Sequence, residues 1–292
     1  MKKYIFILAT AMIILGTGTL FTPVKANITA ATYNVTHGNK NNWSKRQPYV
    51  CELIKKMNKD IYCFQEVIKK NNQLKAIKAT LPNHDYIGKP RSYGIKGLSL
   101  WHRLVTLSGK LGLGGEDEYC PIFYNQNTVT LIAEDTFGIN GKGWTSALLP
   151  RICTWGHFKE TATQKEFYVY NTHLDNKQAD RRIMQIQLIF DDIAQRCGDS
   201  PVILMGDFNT AITEDIQKNI STAQFTNAKE IAQKIEGPTQ THKKSSTKEL
   251  TQIDHILIKP QELFKIYLYK VLDVMSKKTS DHNPVSITFS FK

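Results

Sequence analysis

From Val202 to Met205 the chain runs four apolar residues and then breaks into Gly206-Asp207-Phe208-Asn209. An apolar run this short, stopped by a glycine, fits a buried strand better than a helix, which needs about ten or more residues. Side chains alternate along an extended chain, so Asp207 and Asn209 face one cleft while Phe208 turns back to the core. Gly, Asp and Asn are also ordinary turn residues, so the motif gains weight only from its company. That company is present. Asn34 follows Ala31-Thr32-Tyr33, Glu66 follows Cys63-Phe64-Gln65, His173 follows Tyr170-Asn171-Thr172, Asp254 follows Gln252-Ile253, and Asp281-His282 precede the final apolar run from Val285. Carboxylates, amides and imidazoles gathered at strand ends are the groups that bind metal ions and phosphate.

The rest of the pattern alternates strand, helix and loop with no internal repeat or long linker. Strands are expected over 28–35, 61–67, 119–124, 128–136, 151–159, 166–173, 201–205, 252–258, 263–274 and 285–291. Helices are expected over 48–57, 71–80 and 178–196, the last with Ile183, Ile186, Ile189, Phe190 and Ile193 as its apolar stripe, and a further one near 226–234. Clustered strands with helices between only some of them predict a mixed α/β domain with two packed sheets. Two stretches interrupt the rhythm. Residues 88–117 are rich in Gly, Lys and Arg with Trp101 and several leucines interleaved, and 237–250 carries Lys243, Lys244 and Lys248 in a basic loop.

The first 26 residues read as an export signal: Lys2 and Lys3 precede an apolar run, and Val24-Lys25-Ala26 forms a small-residue cleavage site. The mature domain then spans 27–292, with 88–117 as an insertion, and the product is expected in the periplasm or the medium. Five cysteines, an odd number, leave at least one thiol unpaired, and no Cys/His spacing suggests zinc. The formal charge of +12, or +9 without Lys2, Lys3 and Lys25, points to an acidic partner such as nucleic acid or anionic lipid.

Taken together, Thr32-Tyr33-Asn34, Gln65-Glu66-Val67, Glu118-Tyr119 to Tyr124, Pro150-Arg151, Asn171-Thr172-His173-Leu174, Gly206-Asp207-Phe208-Asn209, Gln252-Ile253-Asp254-His255 and Ser280-Asp281-His282-Asn283-Pro284-Val285 resemble the endonuclease/exonuclease/phosphatase superfamily, and with the leader they suggest an exported bacterial member. The resemblance spans 34–285 and keeps the family's motif order. It implies a four-layered α/β sandwich of two central mixed β-sheets, the DNase I-like fold, with the active site at one rim. It also implies roles. Glu66 matches the main metal carboxylate, with Asn34 and Asp281 completing an oxygen-rich shell suited to Mg²⁺, or to Mn²⁺ or Ca²⁺. Asp207 would orient or deprotonate the attacking water, and Asn209 would hold a phosphate oxygen. His282 with Asp254, and His173 with Glu118, match two histidine–carboxylate dyads, each expected to favour a protonated ring. Arg151 and Tyr124 match positions that bind phosphate or support the site.

Among the other histidines, His37 could reach substrate from its loop, and His255 should face away from Asp254 into the core. His84, His102, His157 and His242 join no constellation and read as surface or structural. The implied activity is metal-dependent hydrolysis of a phosphate ester, with nucleic acid as the favoured substrate. A sphingomyelinase or phosphoinositide phosphatase is the alternative, with Trp101 and its leucines at a membrane interface; a catalytically silent binding protein is a third class. No protein partner can be inferred. The tryptophan-cysteine-aspartate run of inositol 5-phosphatases is missing, and Gln252-Ile253-Asp254-His255 departs from the abasic-site pattern.

Overall fold

The computed structural model describes residues 27–37, 42–69, 72–92, 118–141, 150–243 and 250–292. Its strands in chain order are β1 (Ile28–Asn34), β2 (Ile61–Gln65), β3 (Val67–Ile68), β4 (His84–Ile87), β5 (Glu118–Tyr119), β6 (Ile122–Asn125), β7 (Val129–Gly138), β8 (Ile152–Glu160) and β9 (Glu166–His173). They continue with β10 (Val202–Asp207), β11 (Thr226–Asn227), β12 (Ile235–Glu236), β13 (His242–Lys243), β14 (Leu250–Thr251), β15 (Asp254–Lys259), β16 (Phe264–Val271) and β17 (Val285–Phe291). The helices are α1 (Trp43–Met57), α2 (Gln73–Thr80), α3 (Ala179–Cys197) and α4 (Glu214–Thr222). The leader, 93–117 of the insertion, Lys244 and Lys248 lie outside the described residues.

Two large sheets result, ordered β12-β16-β17-β1-β2-β6-β4 and β11-β15-β10-β9-β8-β7. Both are mixed: β1 and β2 are parallel, as are β9 and β10, while β17 and β15 flank them antiparallel. The layering follows from side-chain parity. Along β10, Ile203 and Met205 enter the core between the sheets, whereas Val202, Leu204 and Phe208 pack outward under α3 and α4. Along β2, Ile61 and Cys63 point inward, and Tyr62 and Phe64 pack outward with α1 and α2. Strands apolar on both faces demand a cover on each, and full burial of each such side chain is worth about 1.5–3 kcal/mol. Helix, sheet, sheet and helix make the expected four layers.

Two elements differ from the sequence reading. The helix expected near 226–234 is instead β11 and a turn: Asn227 pairs with Leu257, and its Oδ1 accepts the Lys229 N–H at 3.1 Å, an Asx turn that outcompetes helical propensity. The helix of this region is α4, whose signals were legible as acidic Glu214 and Asp215 in the first turn and Ile216 and Ile220 one turn apart. Also, α1 begins at Trp43 rather than at Pro48, which sits inside it, and the extra turn carries Arg46. All five cysteines are free thiols, four of them buried.

Candidate active site

Parity and register place the site before any side chain is inspected. Asp207 pairs with His173 of β9 on one side and with Asp254 of β15 on the other, so three polar residues form one row at one rim of the second sheet. All three share the inward parity of Met205, Val169 and Ile256. On the facing sheet Asn34 pairs with Gln65, again with inward parity. His255, one residue out of phase, lies edge-on to Phe208 on the outer side, as expected.

Buried amides fasten the two sheets beneath this rim. Gln65 Nε2 donates to Asn171 Oδ1 at 2.7 Å, and Asn171 Nδ2 donates to the carbonyls of Phe64 and Pro121 at 2.9 and 2.8 Å. A glycine lets the strands close: a Cβ on Gly206 would lie 2.1 Å from Thr172 O.

Above that floor, Glu66 leaves β2 in the left-handed region (φ 59°), which costs a non-glycine residue about 1–2 kcal/mol. Its carboxylate accepts the His37 backbone N–H and, at 3.2 Å, Asn34 Nδ2. Asn34, expected as an oxygen ligand, is turned the other way. Its Oδ1 takes the Thr36 N–H at 2.9 Å, so its Nδ2 faces Glu66 and Asp207, the latter at 2.9 Å. An amide N–H₂ cannot ligate a cation, and Asn34 orients the carboxylates instead. Asp281 is held by the Thr36 hydroxyl, which also meets Ser280 Oγ at 2.6 Å. Burial alone would raise the Asp281 pKa, but the His282 charge and the Thr36 hydroxyl outweigh it and hold it low. Buried Arg46 clamps both loops by donating to the carbonyls of Val35, Thr36 and Thr279.

The two dyads are unequal. His282 Nδ1 is 2.9 Å from Asp254 Oδ2. Burial opposes the charged ring, but the Asp254 and Asp207 carboxylates overcome it and push its pKa up to about 10, so His282 is a cation at neutral pH. His173 Nδ1 lies 3.5 Å from Glu118 Oε1 without a hydrogen bond, because Arg91 ion-pairs that oxygen. Burial, reinforced by Arg151, drives the His173 pKa down to about 3, so this ring is neutral, contrary to the expectation of two protonated rings. Asp207 stands between them, 3.6 Å from His173 Nε2 and 3.7 Å from His282 Nε2, with its Oδ1 accepting the Asn209 N–H at 2.8 Å. Asn209 is left-handed (φ 53°) and ties its Nδ2 to Leu174 O at 3.0 Å.

Tyr124 does not join the site. It pairs with Ile61 at the opposite end of β2 and packs in the inter-sheet core, its ring 5.3 Å from Phe158. The expected strand over 119–124 breaks between β5 and β6, which sends Tyr124 away from Glu118. Arg151 is buried and donates to the His173 backbone carbonyl at 3.4 Å, so it anchors the end of β9. Thr36, Arg46, Arg91 and His242 were missed. Thr36 alone had a local signal, two residues after Asn34; the others arrive through tertiary contacts.

Two places could hold a cation. The ligand atoms of Asp207, Asp254 and His282 lie within 4.8 Å of one another. There His282 Nδ1 lies 2.9 Å from Asp254 Oδ2, a hydrogen bond that a metal bound to both groups would replace. Glu66 and Asp281 offer carboxylate oxygens of the hard kind that Mg²⁺, Mn²⁺ and Ca²⁺ prefer, and Glu66 is 22% exposed.

A family model of the endonuclease/exonuclease/phosphatase family matches residues 31–282. The chain belongs to that family. Members are phosphoric ester hydrolases that generally use a divalent metal ion, and this chain is a hydrolase of that kind. Protein L388 of Acanthamoeba polyphaga mimivirus is 27% identical over 266 residues, covering 85% of this chain and 92% of the viral one. An endonuclease/exonuclease/phosphatase protein from Bacteroides vulgatus superposes with a TM-score of 0.75 at 26% identity, covering 92% of this chain and all of the other. A mannosyl-6-phosphatase from Bacteroides thetaiotaomicron gives 0.71 at 27% identity, with 90% of this chain and all of the other covered. The shared architecture is the α/β fold of two mixed sheets.

Proposed function

We propose that this family member is an exported phosphodiesterase that cleaves nucleic acid with Mg²⁺, Glu66 and Asp281 holding the ion. The observation that carries the chemistry is Asp207 set between a cationic His282 and a neutral His173 at the rim. A bound divalent ion would supply charge neutralisation on the phosphoryl oxygens. The remaining work falls to side chains. Asp207, oriented by Asn34 Nδ2 and the Asn209 N–H, takes the proton from an attacking water, a role worth about 10²–10⁴ in rate. His282 donates Nε2–H to a phosphate oxygen as negative charge develops, its tautomer and charge fixed by Asp254. Neutral His173 serves as a hydrogen-bond partner rather than a second cation. Asn209 lies beside Asp207 as a phosphate contact, while Arg151 anchors the His173 backbone through its carbonyl.

Nucleic acid is supported by the basic excess, with exposed Lys243, Lys277 and Lys278 close in sequence to His242 and Asp281. A second reading, a sugar-phosphate monoesterase, is favoured by the full-length likeness to the mannosyl-6-phosphatase. The export in this proposal is supported by the leader-like stretch 1–26, with Lys2 and Lys3 before an apolar run that ends at Val24-Lys25-Ala26. A hydrolysis screen over DNA, RNA, sphingomyelin, inositol phosphates and mannose 6-phosphate, with His282→Ala as control, tests the proposal. Metal-dependent cleavage of DNA or RNA is expected; cleavage of the sugar phosphate alone would favour the second reading.

A further inference from the structure

His242 belongs to no motif, yet its ring lies against that of His282, with centroids 4.6 Å apart and planes tilted by 44°. The main chain brings it there. His242 and His282 form an antiparallel bridge, Lys243 N–H donates to Asp281 O at 3.0 Å, and Asn283 N–H donates to Thr241 O at 2.6 Å. The adjoining Thr241 hydroxyl accepts the backbone N–H groups of both Ile253 and Asp254 at 3.0 Å. One segment therefore touches both halves of the His282–Asp254 dyad. His242 is itself fixed, with Nδ1 3.3 Å from Thr251 Oγ1.

His282 needs such a neighbour. Its Nδ1 edge is hydrogen-bonded to Asp254, but among the described residues its Nε2 edge faces Asp207, at 3.7 Å and beyond hydrogen-bond reach. The χ2 torsion of histidine is broad, so a ring held by one hydrogen bond still swings about that bond. A second ring 4.6 Å away, tilted by 44°, limits that swing.

We propose that His242 is the positioning residue of His282, acting through the face of its ring to hold the His282 imidazole plane in line with the substrate phosphate. The inference rests on His282 being the phosphate-facing donor proposed above. What matters is the flat surface, not the nitrogen atoms of His242, and this separates positioning from acid–base or ligand roles.

The test compares His242→Ala and His242→Phe for hydrolysis of bis(p-nitrophenyl) phosphate, alone and in the His282→Ala background, with thermal melts alongside. Since displacement of a catalytic group by about 1 Å can cost up to a hundredfold, His242→Ala is expected to lower kcat about ten- to a hundredfold with KM within about twofold. His242→Phe should restore kcat to within about twofold of wild type, and His242→Ala should add no further loss once His282 is gone. Equal kcat for wild type and His242→Ala would overturn the proposal, as would a phenylalanine variant as slow as the alanine one, or additive losses in the double variant. If His242→Ala fails to fold, His242→Phe and His242→Asn carry the comparison, with Phe active and Asn slow as the expected result and the reverse as the refutation. A wild type inert toward every phosphate ester would reject the functional reading with it, whereas an active wild type with unchanged variants rejects the positioning role alone.

Discussion

Replacing Asp254 by Asn isolates the charge that keeps His282 protonated. The side chain keeps its shape, and Oδ1 of the amide can still accept from His282 Nδ1, but the anion is gone. In the wild type burial opposes the charged ring, and the Asp254 carboxylate at 2.9 Å, together with Asp207, overcomes it and carries the His282 pKa up to about 10. A folded-state pKa above the ordinary 6.5 means that the charged ring, and the stability it brings, is fully present below 6.5 and is lost only as pH rises through about 10. Exchanging a charge-assisted hydrogen bond (about 1.5–3 kcal/mol) for a neutral one (about 0.5–1.5 kcal/mol) gives up roughly 1–1.5 kcal/mol, which is roughly 5- to 13-fold in rate if His282 donates to the phosphate. The assay is kcat against pH from 6 to 9.5 on a chromogenic phosphodiester at saturating Mg²⁺. Wild type should hold its activity on the alkaline side to about pH 9, whereas Asp254→Asn should be slower by that factor at pH 8 and recover as pH falls toward 6. An alkaline limb identical in the two proteins, with kcat unchanged, would remove His282 as a charged participant.

The other perturbations probe the frame around it. Gly206→Ala forces a Cβ to within 2.1 Å of Thr172 O; overpacking of this kind costs about 1–3 kcal/mol, so Tm should fall by several degrees in a calorimetric scan. His173 and His255 are buried and neutral, with pKa values driven down by burial to about 3 and about 4. Their stabilisation is present above pH 6.5 and lost as pH falls toward those values, roughly 3 kcal/mol for His255 alone. Tm should therefore drop steeply between pH 6.5 and 4, and His255→Gln should flatten that slope. Arg46→Met removes the donors to Val35, Thr36 and Thr279 carbonyls and frees the two loops that carry Thr36 and Asp281; Mg²⁺ activation should then require about tenfold more metal, in line with loss of groups that orient metal ligands.

The sequence revealed this site to the extent that its residues sit on strands. Asp207, His173, Asp254 and Asn34 end or begin buried runs with shared parity, so their meeting at one rim was readable from alternation and motif order. Elements fixed by tertiary competition were not. The segment 226–234 has helix-forming composition yet folds as strand and turn, because Asn227 finds a partner in Leu257 and an Asx turn of its own. Arg46 hides in a helical turn that starts before Pro48, and His242 reaches His282 only through a bridge between distant segments. The charge states were the least legible. A motif shows His173 and His282 each beside a carboxylate, but burial and the nearby Arg151 charge keep the His173 ring neutral, which only the packed structure reveals.

In the proposed arrangement Glu66 and Asp281, rather than the Asp207–Asp254–His282 cluster, hold the divalent ion while His282 stays a cation. A crystal of the protein soaked in Mn²⁺ and measured for anomalous scattering tests it directly. A peak bonded to Glu66 and Asp281 oxygens, with the His282–Asp254 hydrogen bond intact, is the predicted result; a peak between Asp254 and His282 would contradict it.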